Sequence, residues 1–234
     1  MSSALRTLVI VATLLAGCAS EAPDEILQQT QRYPTMIELP APDLNGALSL
    51  EQVLHERRSV REYATAPLTL GEIGQVLWAG QGITDDEGHR TAPSAGARYP
   101  LELYAITPTD LMHYMPVGHR VETRADTTTL EALPDAAFDQ EFVGSAPLVV
   151  VIAADPARTE QEYGAVAGDL VNREAGHVAQ NILLQATALG LAAVPIGGFD
   201  TAAVARLLAL PPGQLVSYLI PVGEPVSGAG DRGP

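Results

Sequence analysis

Arg57, Arg58, Ser59 and Arg61 place three guanidinium groups and a hydroxyl within five residues. Guanidinium forks onto phosphate oxygens in a bidentate manner and serine adds a neutral donor, so the cluster is a candidate anion site, most simply for a phosphate. The other reading is a solvated helix end, where arginines complement the negative pole of the helix dipole. The rest of the chain repels anions. Thirteen basic residues face 28 acidic ones, for a formal net charge of -15, and every basic residue is arginine. A polyanion such as nucleic acid is therefore a poor partner. The absence of lysine also excludes a Schiff-base nucleophile, a Walker-type phosphate loop and a pyridoxal-phosphate lysine.

Three further segments carry chemical interest. Pro93-Ser94-Ala95-Gly96, before a strand, is a row of small residues that lets backbone approach a flat ligand, with amides free to donate. Gly197 and Gly198, in Pro195-Ile196-Gly197-Gly198-Phe199, offer a second close approach at a strand end. Glu174-Ala175-Gly176-His177-Val178-Ala179-Gln180-Asn181 puts small and amide-bearing residues on a long helix, which suits tight helix packing. The histidines read as bland. His113 and His119 lie six apart with no acidic pair to complete a metal site, and no metal is expected.

The elements that must position these groups follow from pattern. Ser49-Leu50-Glu51-Gln52 and Thr69-Leu70-Gly71-Glu72 are capping boxes. The first predicts a helix ending near Arg57 and Arg58. The second opens a helix bearing Ile73, Val76, Leu77 and Trp78 and closed by Gly80 and Gly82. Residues 101–107 and 112–117 read as strands joined by a turn at Pro108-Thr109-Asp110. Residues 148–154 form a continuous apolar run that fits a central strand buried on both faces. A helical stripe runs through Ala175, Val178, Ile182, Ala186 and Leu189 within an expected helix over 159–189. A strand over 191–196, a helix over 201–208 and a strand over 215–222 follow. Helices and strands interleave without a βαβ rhythm, so one domain with a mixed sheet and helices on both faces is expected.

The start of the chain reads differently. A short positive start, an apolar run over 8–15 and Leu15-Ala16-Gly17-Cys18 resemble the signal and lipobox of bacterial lipoproteins, with Cys18 as the lipidated residue. The run is too short to span a bilayer as a mature helix. The expected division is a signal peptide over 1–17, a tether over 18–44, a domain over 45–226 and a tail over 227–234. A single cysteine rules out an intrachain disulfide. The product would be exported and held at a membrane by its lipid.

Arg57-Arg58-Ser59-Val60-Arg61, Pro93-Ser94-Ala95-Gly96, the Glu174–Asn181 helix and Pro195-Ile196-Gly197-Gly198-Phe199, in this order, resemble the flavin-dependent nitroreductase superfamily. The likeness is to its branch similar to SagB-type dehydrogenases, and it covers roughly Leu48 to Pro225. It implies an α+β fold with a mixed, mainly antiparallel sheet flanked by helices, a homodimer, and FMN bound without a covalent link at the dimer interface. Arg57, Arg58, Ser59 and Arg61 then match the segment holding the phosphate and ribityl end. Pro93, Ser94, Ala95 and Gly96 match the loop along the isoalloxazine ring, and Gly197 and Gly198 the backbone near N5. Arg232, beyond Glu224-Pro225, matches a second phosphate arginine.

The resemblance implies an FMN-dependent oxidoreductase acting by hydride transfer through N5 on a small conjugated or electron-poor molecule, the flavin carrying the redox chemistry. The branch's azole-forming members pair a lysine with a tyrosine as base. Here Glu162 precedes Tyr163 and lysine is absent, so azoline oxidation is not expected. Glu162 and Tyr163 remain candidate proton donors. The alternatives are a SagB-like dehydrogenase of a peptide or metabolite, and a lipoprotein of the same fold that binds a ligand without turnover.

Overall fold

A computed structural model describes residues 32–226. The chain divides into two units, Met1–Arg32 and Tyr33–Pro234, and every element below belongs to the second. The lipobox with Cys18 and the tail with Arg232 lie outside the described residues.

Seven strands form one sheet in the order β1-β4-β3-β2-β5-β7-β6. Their ranges are β1 Thr35–Glu38, β2 Leu101–Ile106, β3 Asp110–Met115, β4 Arg120–Ala125, β5 Leu148–Ala154, β6 Ala192–Ala193 and β7 Leu215–Gly223. Every strand pair is antiparallel. The helices are α1 Leu50–Glu56, α2 Leu70–Gln81, α3 Thr129–Ala136, α4 Glu141–Ser145, α5 Ala157–Tyr163, α6 Ala167–Ala188 and α7 Thr201–Leu207. This is the expected α+β architecture, with the sheet between two helical layers, but the sheet expected as mixed is antiparallel in all its strand pairs.

Both capping boxes form. Ser49 Oγ accepts from the Gln52 N–H at 3.2 Å while Gln52 Oε1 accepts from the Ser49 N–H at 2.9 Å. Thr69 and Glu72 repeat the exchange at 3.2 and 2.7 Å. Each box satisfies donors that a helix start otherwise leaves orphaned. Replacing Ser49 with alanine is expected to cost about 1 kcal/mol, read as a lowered urea midpoint with an unchanged slope.

The all-apolar run of β5 has its explanation in the layers. Leu148, Val150, Ile152 and Ala154 face a core with α2 and α6, whereas Val149, Val151 and Ala153 face a second core with α3, α4 and α7. A strand buried on both sides has no polar face to show. In the first core Val76, Leu77, Val178, Ile182 and Ala186 are fully buried. Gly80 lies where α2, α6 and β2 come closest: a Cβ there would stand 2.9 Å from Leu103 Cδ1 and 3.2 Å from Ile182 Cδ1.

Three elements depart from expectation. The helix expected over 159–189 is two, because Gly164 at φ +54 ends α5 and no right-handed helix passes through that conformation. The strand expected over 191–196 shrinks to β6: beyond it the Val194 N–H reaches Pro221 O only at 3.4 Å, Pro195 has no N–H to give, and Ile196 makes an isolated bridge to Leu219. Within the stretch expected as tether, Thr35–Glu38 form β1 on β4, and Tyr33 and Leu39 are buried on either side.

Candidate functional site

The arginine cluster leaves α1 at its C-terminus, where the Arg57 N–H closes the helix on Val53 O at 2.9 Å. The chain then extends, and the Val60 N–H donates to Ala193 O at 3.1 Å, with Ser59 and Ala193 forming a parallel bridge. β6 continues through Val194 and Pro195 to Gly197 and Gly198. Two of the predicted segments are thereby tied side by side. The three arginines separate in role. Arg58 Nη1 folds back to donate to His55 O and Arg57 O, both at 2.8 Å, which fulfils the helix-end reading for that residue. Arg57 is half-buried and Ser59 exposed, and neither side chain has a carboxylate partner among the described residues. Arg61 is exposed with its guanidinium 5.6 Å from the Phe142 ring centroid.

Gly197 also lines a cleft of about 490 Å³ between α6 and the β5 and β7 ends, with Asn172, Ala175, Thr201, Ser217 and Tyr218. Among the described residues no charged side chain lines it. Gly197 and Gly198 are exposed, and a Cβ on Gly198 would meet nothing within 4 Å.

The Pro93–Gly96 loop sits elsewhere on the protomer, against α5 and another face of α6. Ser94 Oγ accepts from the Tyr99 N–H at 2.9 Å, and Asn181 Nδ2 on α6 donates to Thr91 O at 3.1 Å. Gly96 has φ +58, and a Cβ there would stand 2.9 Å from both Glu162 Oε2 and the Tyr163 hydroxyl. The two candidate proton donors are thus packed on this loop, with Glu162 held by Arg98 Nε at 2.6 Å. Among the described residues no hydrogen bond or ion pair links the loop to Arg57–Arg61 or to Gly197. Gly96→Ala combines a left-handed backbone with this crowding and is expected to cost about 1–2 kcal/mol, measured as a fall in melting temperature.

Sequence reasoning missed two buried polar groups. Glu174, quoted above only as part of a packing helix, is 3% exposed, and among the described residues its Oε1 has no hydrogen-bond partner. Burial pushes its carboxyl up to about 7, against the opposing influence of a hydrogen bond from Ser94 and the charge of Arg90. Arg90 Nη1 donates to Gln81 Oε1 at 2.6 Å and its guanidinium lies 4.4 Å from the Tyr99 ring centroid. The second group corrects the bland reading of His113. Its Nε2 lies 2.9 Å from Glu102 Oε2 and its Nδ1 3.8 Å from Glu122 Oε2. The acidic neighbours come from adjacent strands, where sequence spacing hides them. Among the described residues no group of three such side chains is placed to hold a metal ion.

Comparison with known proteins places this geometry in context. The nitroreductase family pattern matches residues 54–224. The chain is 40% identical over 197 residues to MJ1384 of Methanocaldococcus jannaschii, named as a nitroreductase, covering 81% of this chain and 98% of that protein. A solved structure from Ralstonia eutropha JMP134, also named as a nitroreductase, superposes with a TM-score of 0.73 at 30% identity, over 82% of this chain and 90% of the other. The NADPH:FMN oxidoreductase of Vibrio harveyi, solved in complex with NAD+, shares the fold at a TM-score of 0.60 and 23% identity, over 79% and 72% of the two chains. With the match running through α1 to β7 and the identity spanning almost the whole of the archaeal relative, the chain belongs to the nitroreductase family.

Proposed function

We propose that the protein is a homodimeric FMN-dependent oxidoreductase that passes hydride to or from a small, uncharged, conjugated molecule. The observation that carries this is the Val60–Ala193 bond, which ties the segment of Arg57, Ser59 and exposed Arg61 to the chain that leads into the open backbone at Gly197 and Gly198. Those residues fit a flavin mononucleotide: cationic donors for the phosphate, and a surface free of side chains for a planar ring. Bound FMN would supply the redox chemistry. The chain's own work is to neutralise the phosphate with Arg57 and Arg61 and to present backbone amides at Gly197 and Gly198. Its uncharged cleft, with Asn172, Ser217 and Tyr218, admits a neutral substrate. In this reading a second copy brings the Pro93–Gly96 loop to the ring, since one protomer keeps it apart from the arginines. Glu162 is engaged by Arg98, so Tyr163, half-buried beside Gly96, is the more available proton donor of the pair.

The test begins with the absorbance spectrum and mass of the small molecule released from natively purified protein, followed by FMN titration. FMN is expected, and a colourless protein that takes up no FMN on reconstitution overturns the reading. Arg57→Ala and Arg61→Ala should each weaken FMN binding by about 10- to 100-fold, the worth of a charge-assisted bond. Hydride transfer to a panel of quinones and nitroarenes then separates an enzyme from a flavin-binding protein without turnover. A thiazoline peptide in the same panel tests the SagB-like alternative.

The lipobox supports a membrane-anchored, exported form of this enzyme, lipidated on Cys18. Cys18→Ala should move the protein from the membrane fraction to the soluble fraction, and unchanged partitioning refutes the anchor.

A further inference from the structure

We infer, resting on the flavin site proposed above, that Gln140 is the positioning residue of the Gly197–Gly198 backbone: its side-chain amide clamps the Gly198 carbonyl to the end of α3 and so fixes how that segment presents its donors. Ile196 is held by Leu219, its N–H donating at 2.8 Å and its carbonyl accepting at 3.1 Å, and the Asp200 N–H donates to Ala136 O at 2.8 Å. Between those anchors, among the described residues, no backbone–backbone hydrogen bond reaches Gly197, Gly198 or Phe199. Two exposed glycines in a row leave such a stretch free to rotate its peptide planes. Gln140 Nε2 supplies the restraint. It donates to Ala137 O at 2.6 Å and to Gly198 O at 3.0 Å, one proton to each. Two carbonyl acceptors admit only the nitrogen of the amide here. In a trans peptide the carbonyl and the next N–H point in opposite directions, so a tethered Gly198 carbonyl also sets the direction of the Phe199 N–H.

The clamp has a fixed base. Phe138 and Asp139 both sit in left-handed backbone, at φ +56 and +58, which turns the chain sharply at the end of α3. The Ala137 N–H closes on Leu133 O at 2.8 Å and the Asp139 N–H on Pro134 O at 3.0 Å. Leu133, Ala137 and Val143 around the turn are fully buried. Residues other than glycine keep that conformation only where their surroundings impose it. Just beyond Gln140, the Phe142 ring meets the Arg61 guanidinium, so one short segment touches both halves of the proposed site. A backbone already held in one orientation loses less freedom when a ligand binds it.

Backbone amide order parameters, measured by NMR in protein free of flavin, read the motion of Gly197, Gly198 and Phe199. Wild type should hold them near the rigid value of about 0.85, and Gln140→Ala should drop them below about 0.6. Mobile glycines in the wild type, or unchanged values in Gln140→Ala, overturn the assignment. FMN titration follows. Gln140→Ala should raise the dissociation constant by about 3- to 10-fold, the worth of one net hydrogen bond. Gln140→Glu sets a carboxylate against two carbonyl oxygens and should raise it further. Gln140→Met keeps the length without the donors and takes its place if Gln140→Glu does not fold. The midpoint potential of bound FMN is a readout that a loss of stability alone leaves unmoved. Backbone donors favour the electron-rich reduced ring, so the potential should become more negative in Gln140→Ala and Gln140→Met. Loosened glycines with affinity and potential both unmoved also refute the positioning role. If the wild type takes up no FMN, the functional reading fails, while the order parameters still decide what Gln140 holds.

Discussion

Ile182→Ala should lower the unfolding free energy by about 4 kcal/mol, near the upper part of the ~2–5 kcal/mol range for such truncations. Ile182 is fully buried where α2, α6 and β2 meet, and Gly80 comes within 3.2 Å of it measured to a would-be Cβ. The depth of the loss follows from that neighbour. A void collapses when adjacent side chains swing in, and Gly80 has none to offer. In urea the midpoint should fall while the slope is kept, and the melting temperature should drop by about 8–16 °C for a chain of this size. A loss under about 1.5 kcal/mol would mean that α6 slides inward to fill the space.

Glu102→Ala is expected to cost about 3 kcal/mol near pH 6, because removing one member of a buried ion pair strands the others. Glu102 Oε2 meets His113 at 2.9 Å and Oε1 meets Arg158 at 2.5 Å. His113 is stacked on Tyr104 with centroids 4.7 Å apart. Burial works against both charges, yet the partners prevail: Glu102 is held below the ordinary carboxylate range by His113 and Arg158, and His113 above the ordinary histidine range by Glu102 and Glu122. The pH dependence follows with opposite signs. The Glu102 contribution is complete above its ordinary 4.5 and is lost as pH falls through its depressed folded value. The His113 contribution is complete below its ordinary 6.5 and is lost as pH rises through its elevated folded value. Urea melts of wild type and His113→Gln across pH 4–9 should therefore diverge most near pH 6 and converge on the alkaline side. Taking the difference matters, because Glu174 also lowers stability between pH 4.5 and 7 and would be common to both proteins. Curves that stay parallel above pH 6.5 would show that His113 carries no charge in the fold.

Much of the architecture was readable where local chemistry and tertiary context agree. The two capping boxes, the buried run of β5 and the Ile73–Leu77 side of α2 needed no knowledge of their neighbours. The losses came where neighbours decide. β1 and β4 are short and half-exposed, and it is pairing, of β4 on β3 and of β1 on β4, that makes them strands. The break at Gly164 was hidden because the segments on both of its sides are helical, Ala157–Tyr163 before it and Ala167–Ala188 after it. For the site, the sequence named the arginine cluster and the paired glycines, and the Val60–Ala193 bond accounts for their adjacency. It did not distinguish Arg58, which caps α1, from Arg57 and Arg61. Nor did it distinguish Glu174 from a surface acid, because its burial is set by tertiary packing that the helix's own pattern does not reveal.

The same Val60–Ala193 bond has a consequence for self-association. A sheet whose outer strands expose long rows of unpaired backbone is a template for fibril growth. Here β6 is two residues long and already bonded by the arginine-bearing segment, and β1 at the opposite margin is bracketed by Pro34 and Pro40. Neither margin offers a run long enough to recruit a foreign strand. The arginine-bearing segment therefore adds to the shortness of β6 by occupying the Ala193 carbonyl at that margin.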